Sequence, residues 1–299
     1  MPAPIGLSAY CRLEHLRRTV EALHHNELAS ESELYVFSDA PKPGDEDKVK
    51  AVREYLRTIR GFREVHLLER EENSRVKNNR GGMRQLLDQY GRMIFLEEDV
   101  VTAPGFLRFM NEGLDFYQDD ERIFALCGYS PPIRIPRSYQ KDVYLSQRFS
   151  AWGFGIWKDR YDKIVMDVSM EDYEEIIHSP SKLKAFKVGG PDLPDMLERL
   201  ATGRVDALDI RIFYTMYVYK MFTVHPTYSL TQNIGFDGSG AHCPADDRFS
   251  VELNRAKAHL ALEPLIQLDK SILRRLTWFR WGTLKGQAYL LRERLLGRL

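Results

Sequence analysis

The sequence predicts an α/β fold in which a mostly parallel sheet is flanked by helices and followed by a basic amphipathic helical tail. Three observations predict it. Over the first hundred residues, short apolar runs alternate with stretches of helical periodicity, the order of strands joined by right-handed crossovers. The segments that follow those runs are polar or charged, as expected where ligands sit beyond the carboxyl ends of parallel strands. From residue 269 to the end, eight basic residues stand against two acidic ones, although the whole chain of 299 residues balances 43 basic against 43 acidic side chains.

Each element has its own signal. Residues 3–9 (APIGLSA) and 33–38 (ELYVFS) read as the first two strands, and residues 65–68 and 93–96 as the next two. Between them Leu13, Leu16, Val20 and Leu23 share one helical face, Val49, Val52, Leu56 and Ile59 a second, and Met83, Leu86, Leu87 and Tyr90 a third. Pro104 opens a further helix carrying Phe106, Phe109, Met110, Leu114 and Tyr117. Residues 123–127 are strand-like, and 128–150, with Pro131, Pro132 and Pro136, read as loop. Residues 152–157 (WGFGIW) are aromatic and glycine-rich, 209–222 read as a buried helix and 227–247 as a loop.

Composition excludes several classes. A balanced charge argues against coating of nucleic acid, which needs a basic excess. No stretch approaches the roughly 18 apolar residues of a membrane span, and the start MPAPIGLSAYCRLEHLRR lacks the order of a signal peptide. Cys11, Cys127 and Cys243 are far apart and without metal spacing, which reads as three reduced thiols. The expectation is a cytoplasmic protein.

The sharpest local feature is RMIFLEEDVV, where a buried strand runs straight into Glu97, Glu98 and Asp99. Like charges gathered at the ligand end of a sheet call for a neutralising cation, and oxygen ligands select Mg²⁺ or Mn²⁺. The segment FLEEDVVTAPGFLRFM resembles the acidic motif of GT-A glycosyltransferases, closest to the N-acetylglucosaminyltransferase I family and related bacterial sugar transferases. The resemblance extends to SAYCRLEHLRRTVEAL, WGFGIW, LDIR and NIGFDGSGAHC, and so covers residues 3 to about 245. The middle acid is Glu98 where the family has Asp, and Leu208 stands where it has Trp.

The resemblance implies a Rossmann-like GT-A domain, with residues 1–126 as its nucleotide-sugar half, 127–262 as its acceptor half and 263–299 as basic C-terminal helices. It implies Asp99 as the main metal ligand, His242 as a second ligand or a phosphate contact, and Ser8, Tyr10, Arg12, Asp39, Glu97 and Glu98 as donor contacts. Asn78, with Asn79, Gly81 and Gly82, is expected to precede a helix and turn backbone amides toward the donor's phosphates. Asp209, at a helix start, is implied as the general base of an inverting transfer; Asp206 competes for that role, and helix capping is the alternative for Asp209. Trp152 and Gly153 are expected to shape the sugar and acceptor pocket, or else to be core residues at a tight turn.

The activity so implied is transfer of a sugar from a nucleotide donor, a UDP-sugar, to a glycan or lipid-linked acceptor hydroxyl. Two alternatives stand beside it: a sugar-nucleotide nucleotidyltransferase and a non-catalytic nucleotide- or carbohydrate-binding protein. In the tail, Leu284, Ala288, Leu291, Leu295 and Leu299 fall on one helical face among basic residues, preceded by Trp278, Phe279 and Trp281. Residues 269–299 therefore read either as a contact with an anionic membrane at the inner face of the cell membrane or as helices packed on the body.

Overall fold

A computed structural model describes residues 1–238, 247–253, 259–264 and 267–282. The first half follows the expected alternation: β1 (Ile5–Ala9), α1 (Leu13–His24), β2 (Glu33–Ser38), α2 (Glu46–Leu56), β3 (Glu64–Glu69), α3 (Arg75–Tyr90) and β4 (Arg92–Glu97). A short β5 (Val100–Thr102), α4 (Phe106–Phe116) and β6 (Ile123–Cys127) continue it. Then come β7 (Val143–Ser146), β8 (Phe154–Trp157), α5 (Lys158–Tyr161), α6 (Met170–Ile177), α7 (Pro180–Phe186) and α8 (Leu193–Ala201). Among the described residues α9 (Leu208–Val218), β9 (Phe222–Pro226), β10 (Thr231–Asn233) and α10 (Lys270–Thr277) follow.

Among the described residues, eight strands form one sheet in the order β3-β2-β1-β4-β8-β6-β9-β7, and β10 pairs with β5 apart from it. Strands β1 to β4 are parallel, as are β6 and β9, while β8 runs antiparallel between β4 and β6 and β7 is an antiparallel edge. The sheet is covered on both faces, which is why its central strands are apolar throughout. Along β4 the side chains alternate: Ile94 and Leu96 join a core with Leu16, Val20, Leu56 and Phe106 of α1, α2 and α4. Met93 and Phe95 join another with Leu86, Leu87, Leu197 and Phe213 of α3, α8 and α9.

Several expectations change. The helix expected over 209–222 ends at Val218; Lys220 adopts a left-handed φ of 55°, and Phe222 opens β9. The loops expected at 128–150 and 227–247 contain β7 and β10, short strands whose partners lie far away in the chain. The boundary at 126/127 falls within β6, in a sheet where β8 sits between β4 and β6.

In the tail, α10 packs on the body through buried Ile272, and Phe279, just beyond it, meets Phe249 edge-on at 5.9 Å. Arg274 and Arg275 are exposed, and Trp278 is 63% exposed. The helical face expected at 284–299 lies outside the described residues. No helix among the described residues is long and apolar enough to cross a membrane.

Candidate functional site

The chain order of the strands reverses between β1 and β4: β2 and β3 extend the sheet on one side of β1, and β4 lies on the other. In such sheets the crevice at the reversal takes ligands. β1 delivers Tyr10, Cys11 and Arg12 there, and β4 ends in Glu97 and runs on to Glu98 and Asp99.

Three acids in a row at the end of a buried strand are tolerated because the neighbouring strand end provides a cation. Arg12, at the cap of α1, donates from Nε to Glu98 Oε1 at 2.8 Å and from Nη2 to Asp99 Oδ2 at 2.6 Å. The backbone N–H of Tyr10 donates to the other Glu98 oxygen at 2.5 Å, and Thr19 Oγ1 donates to the Glu98 carbonyl at 2.9 Å. Glu98 and Asp99 are 6% and 7% exposed. The neutralising cation expected of this cluster is therefore, in part, a side chain of the protein.

Pairing of β10 with β5 lays the following turn over these acids: the N–H of Ile234 donates to the Asp99 carbonyl at 2.8 Å. A Cβ on Gly235 would stand 2.2 Å from Asp99 Oδ2 and 2.9 Å from Arg12 Nη1, so the backbone there comes as close to the pair as only glycine permits. Asp99 Oδ1 is buried and has no hydrogen-bond partner among the described residues.

The electrostatics follow from this packing. Burial pushes the Glu97 carboxyl up to about 7, with the Asp99 charge adding to it and Arg75 opposing. Burial raises Glu98 too, against the pull of Arg12 and the Tyr10 amide. For Arg12 burial opposes the charge, but Asp99 and Glu98 overcome it and hold the guanidinium more firmly protonated than usual.

Helix α3 connects this cluster to the opposite wall. Ser74 caps it, accepting from the N–H of Lys77 at 3.3 Å, so Asn78, Asn79, Gly81 and Gly82 lie inside the helix instead of before it, and their amides are not turned toward an anion at a helix start. Asn78 is buried and donates to the Phe37 carbonyl at 2.9 Å, tying α3 to the end of β2. Asn79 accepts from Ser8 Oγ at 2.6 Å and donates to Glu97 Oε1 at 3.3 Å.

Asp39, buried, accepts from the N–H groups of Ala40 and Ser74 at 3.0 Å each and from Asn73 Nδ2 at 3.2 Å. It organises the turn that starts α3. Tyr10 Oη donates to Asp45 at 2.9 Å and accepts from the N–H of Lys42.

Asp209 occupies the first turn of α9 and accepts from the N–H of Ile210 at 3.0 Å. Burial raises its pKa, opposed by that amide and by the charges of Arg148 and Arg75. The Arg75 charge thus favours the ionised form of both Glu97 and Asp209. Asp206 is exposed and paired with Arg80 at 2.7 Å and Arg211 at 2.6 Å, a surface bridge between α3 and α9.

Trp152 meets the rings of Tyr129, Phe236 and Phe249 edge-on, at 4.5, 5.3 and 5.8 Å. Gly153, with φ of 78°, turns the chain where a Cβ would stand 2.9 Å from Thr231. His242 lies outside the described residues, as do Gly240 and Cys243. Sequence reasoning alone does not reach Arg75, Arg148 or Gly235, because a surface-type arginine and a loop glycine acquire meaning only from what faces them.

The donor set permits a divalent cation of one kind. Among the described residues no group of three or more His, Cys, Asp or Glu could hold a metal. Of the three acids, Asp99 keeps a buried oxygen with no partner among the described residues; both Glu98 oxygens are taken by Arg12 and Tyr10, and one oxygen of Glu97 accepts from Asn79. A single carboxylate fits Mg²⁺ or Mn²⁺ when phosphate oxygens and water complete the shell, and does not suit zinc or calcium held by protein alone.

No protein-family model matches the chain, and no curated protein is similar to it in sequence. Among solved structures it is similar to residues 1–349 of S. aureus TarS, at 11% identity over 77% of this chain and 60% of that one, with a TM-score of 0.42. It is similar to GalNAc-T7 with UDP, GalNAc and Mn²⁺, at 11% identity over 75% and 42% of the two chains, TM-score 0.46. It is also similar to the mannosyltransferase PcManGT from Pyrobaculum calidifontis in complex with GDP-Man and Mn²⁺, at 11% identity over 73% and 72%, TM-score 0.39. These scores mark partial overlaps, and the chain spans less than two thirds of the first of these relatives.

Proposed function

We propose that this chain is a GT-A-like, metal-dependent glycosyltransferase that moves a sugar from a nucleotide donor, a UDP-sugar, to a hydroxyl of a glycan or lipid-linked acceptor. The observation that carries the reading is Asp99, which follows β4 at the point where strand order reverses and keeps one buried oxygen without a partner among the described residues. Mn²⁺ or Mg²⁺ bound there supplies Lewis-acid stabilisation for a departing diphosphate. Ser8, Tyr10 and Arg12, at the end of β1, and Glu97 and Glu98, at the end of β4, form the donor side of the crevice.

Asp209 takes the proton of the acceptor hydroxyl. Its burial makes it a stronger base than a solvated aspartate, while Arg75 and Arg148 favour its ionised form. A base acting from the face opposite the leaving group gives inversion. Trp152 and Gly153 shape the wall on the acceptor side. Exposed Trp278, Arg274 and Arg275 at the end of α10 support a peripheral contact with an anionic membrane.

The test is UDP release from a panel of UDP-sugars, with and without Mn²⁺, for the native chain and two variants. Asp99→Asn removes the Mn²⁺-dependent turnover, and Asp209→Asn lowers kcat by about 10²–10⁴-fold, the usual worth of a general base. Near-normal turnover by Asp209→Asn, or a retained anomeric configuration in the product, would refute the assigned base; a chain that binds UDP but releases none from any sugar would be a non-catalytic binder.

A further inference from the structure

The cation that neutralises the acid cluster and the cation that Asp99 would hold for catalysis meet at the same carboxylate. Arg12 binds Glu98 and Asp99 through two nitrogens of one guanidinium, at 2.8 and 2.6 Å. The remaining oxygen, Asp99 Oδ1, is buried without a partner among the described residues. The space around the pair is closed by the backbone at Gly235, where even a methyl group would overlap Asp99 Oδ2 and crowd Arg12 Nη1.

A dication brought to Asp99 therefore finds a guanidinium already on the same carboxylate. Two positive charges sharing one aspartate in a poorly solvated site repel each other strongly. Of the groups in contact, Arg12 is the one on a long side chain, with its side chain 22% exposed, whereas the backbone at Gly235 is anchored by hydrogen bonds at Ile234 and Asn233.

We propose that Arg12 is the resident counter-ion of Glu98 and Asp99 and competes with the divalent cation for Asp99, so that metal binds only as Arg12 leaves that carboxylate. Metal-free protein is held together at this point by Arg12; metal-bound protein frees the guanidinium for an anion such as the donor diphosphate. The inference rests on the reading of Asp99 as the metal's carboxylate.

The experiment is calorimetric titration with Mn²⁺ of the full chain in the presence of UDP, which supplies the phosphate oxygens that complete the shell, against blanks of UDP alone, for the native protein, Arg12→Gln, Arg12→Lys and Asp99→Asn. Circular dichroism verifies that each variant is folded. Arg12→Gln is expected to bind Mn²⁺ at least about tenfold more tightly than the native chain, about 1.4 kcal/mol. Arg12→Lys, which keeps one charge but cannot bridge both acids, is expected to fall between them and serves if Arg12→Gln does not fold. Asp99→Asn is expected to lose binding.

Equal or weaker Mn²⁺ binding by both Arg12 variants would overturn the competition, as would an absence of Mn²⁺ binding in every protein. The two readings separate cleanly. Tighter Mn²⁺ binding by Arg12→Gln in a chain that releases UDP from no donor sustains the competition and removes the glycosyltransferase. Mn²⁺-dependent turnover by the native chain, without tighter binding in the variants, does the reverse.

Discussion

His225 makes the stability of this protein sensitive to mild acid, by an amount that can be worked from its surroundings. It lies in β9, is 4% exposed, and places Nδ1 2.8 Å from the Tyr129 carbonyl and Nε2 3.0 Å from Thr223 Oγ1 and 3.1 Å from the Arg148 carbonyl. Tyr144 stacks on the ring at 5.5 Å. Burial pushes its pKa down from 6.5 to about 4, the two carbonyls only partly offsetting this and the Arg280 charge adding to it. The Arg148 guanidinium is itself paired with Asp192.

The folded state thus holds a neutral imidazole where the unfolded chain binds a proton. Above about pH 6.5 both are neutral and the stabilisation is complete; as pH falls toward 4 the unfolded state alone gains the proton, and stability drops. The window is about 2.5 pH units wide, and at about 1.4 kcal/mol for each the loss reaches about 3 kcal/mol. Urea unfolding at several pH values between 7.5 and 4.5, for the native chain and for His225→Gln, isolates it, since carboxylate contributions are common to both. The variant is expected to be less stable at pH 7.5 but to lose less on acidification. A native-minus-variant difference that stays flat across the window would refute the assigned neutral histidine.

Three further outcomes follow from the geometry. Asp39→Ala strands the N–H groups of Ala40 and Ser74 and is expected to cost about 1–3 kcal/mol of unfolding free energy; unchanged stability with a raised donor KM would instead mark Asp39 as a donor contact only. Gly235→Ala puts a methyl group 2.2 Å from Asp99 Oδ2, and a loss of about 1–3 kcal/mol in thermal denaturation is expected, so an unshifted melt would show that the turn is not held against the acids. The full chain is expected to co-sediment with anionic liposomes more strongly than a chain ending at Leu268, and equal binding would remove the membrane contact.

The alternation of β1 to β4 with α1 to α3 is legible because each apolar run is short and each helix carries a regular buried face such as Leu16, Val20 and Leu23. Asn78 to Gly82 is the opposite case. Its composition favours a loop, yet Ser74 caps the helix ahead of it and the buried side chains of Asn78, Met83, Leu86 and Leu87 hold the segment against the sheet. Tertiary contacts outweigh weak local preference there. β8 is likewise invisible as an antiparallel insertion, because its direction depends on β4 and β6 and not on anything in its own residues.

Local sequence accounts for the layered α/β plan, the polar ends of the strands and the three acids after β4, since each depends on residues close together in the chain. What those acids face depends on packing between distant parts of the chain. Arg12 is 87 residues from Asp99 in the chain, and the two meet because β1 and β4 are parallel neighbours. That adjacency supplies a cation within the protein and leaves one aspartate oxygen uncommitted. It also sets an arginine on the very carboxylate that the run of acids, taken alone, assigns to a metal.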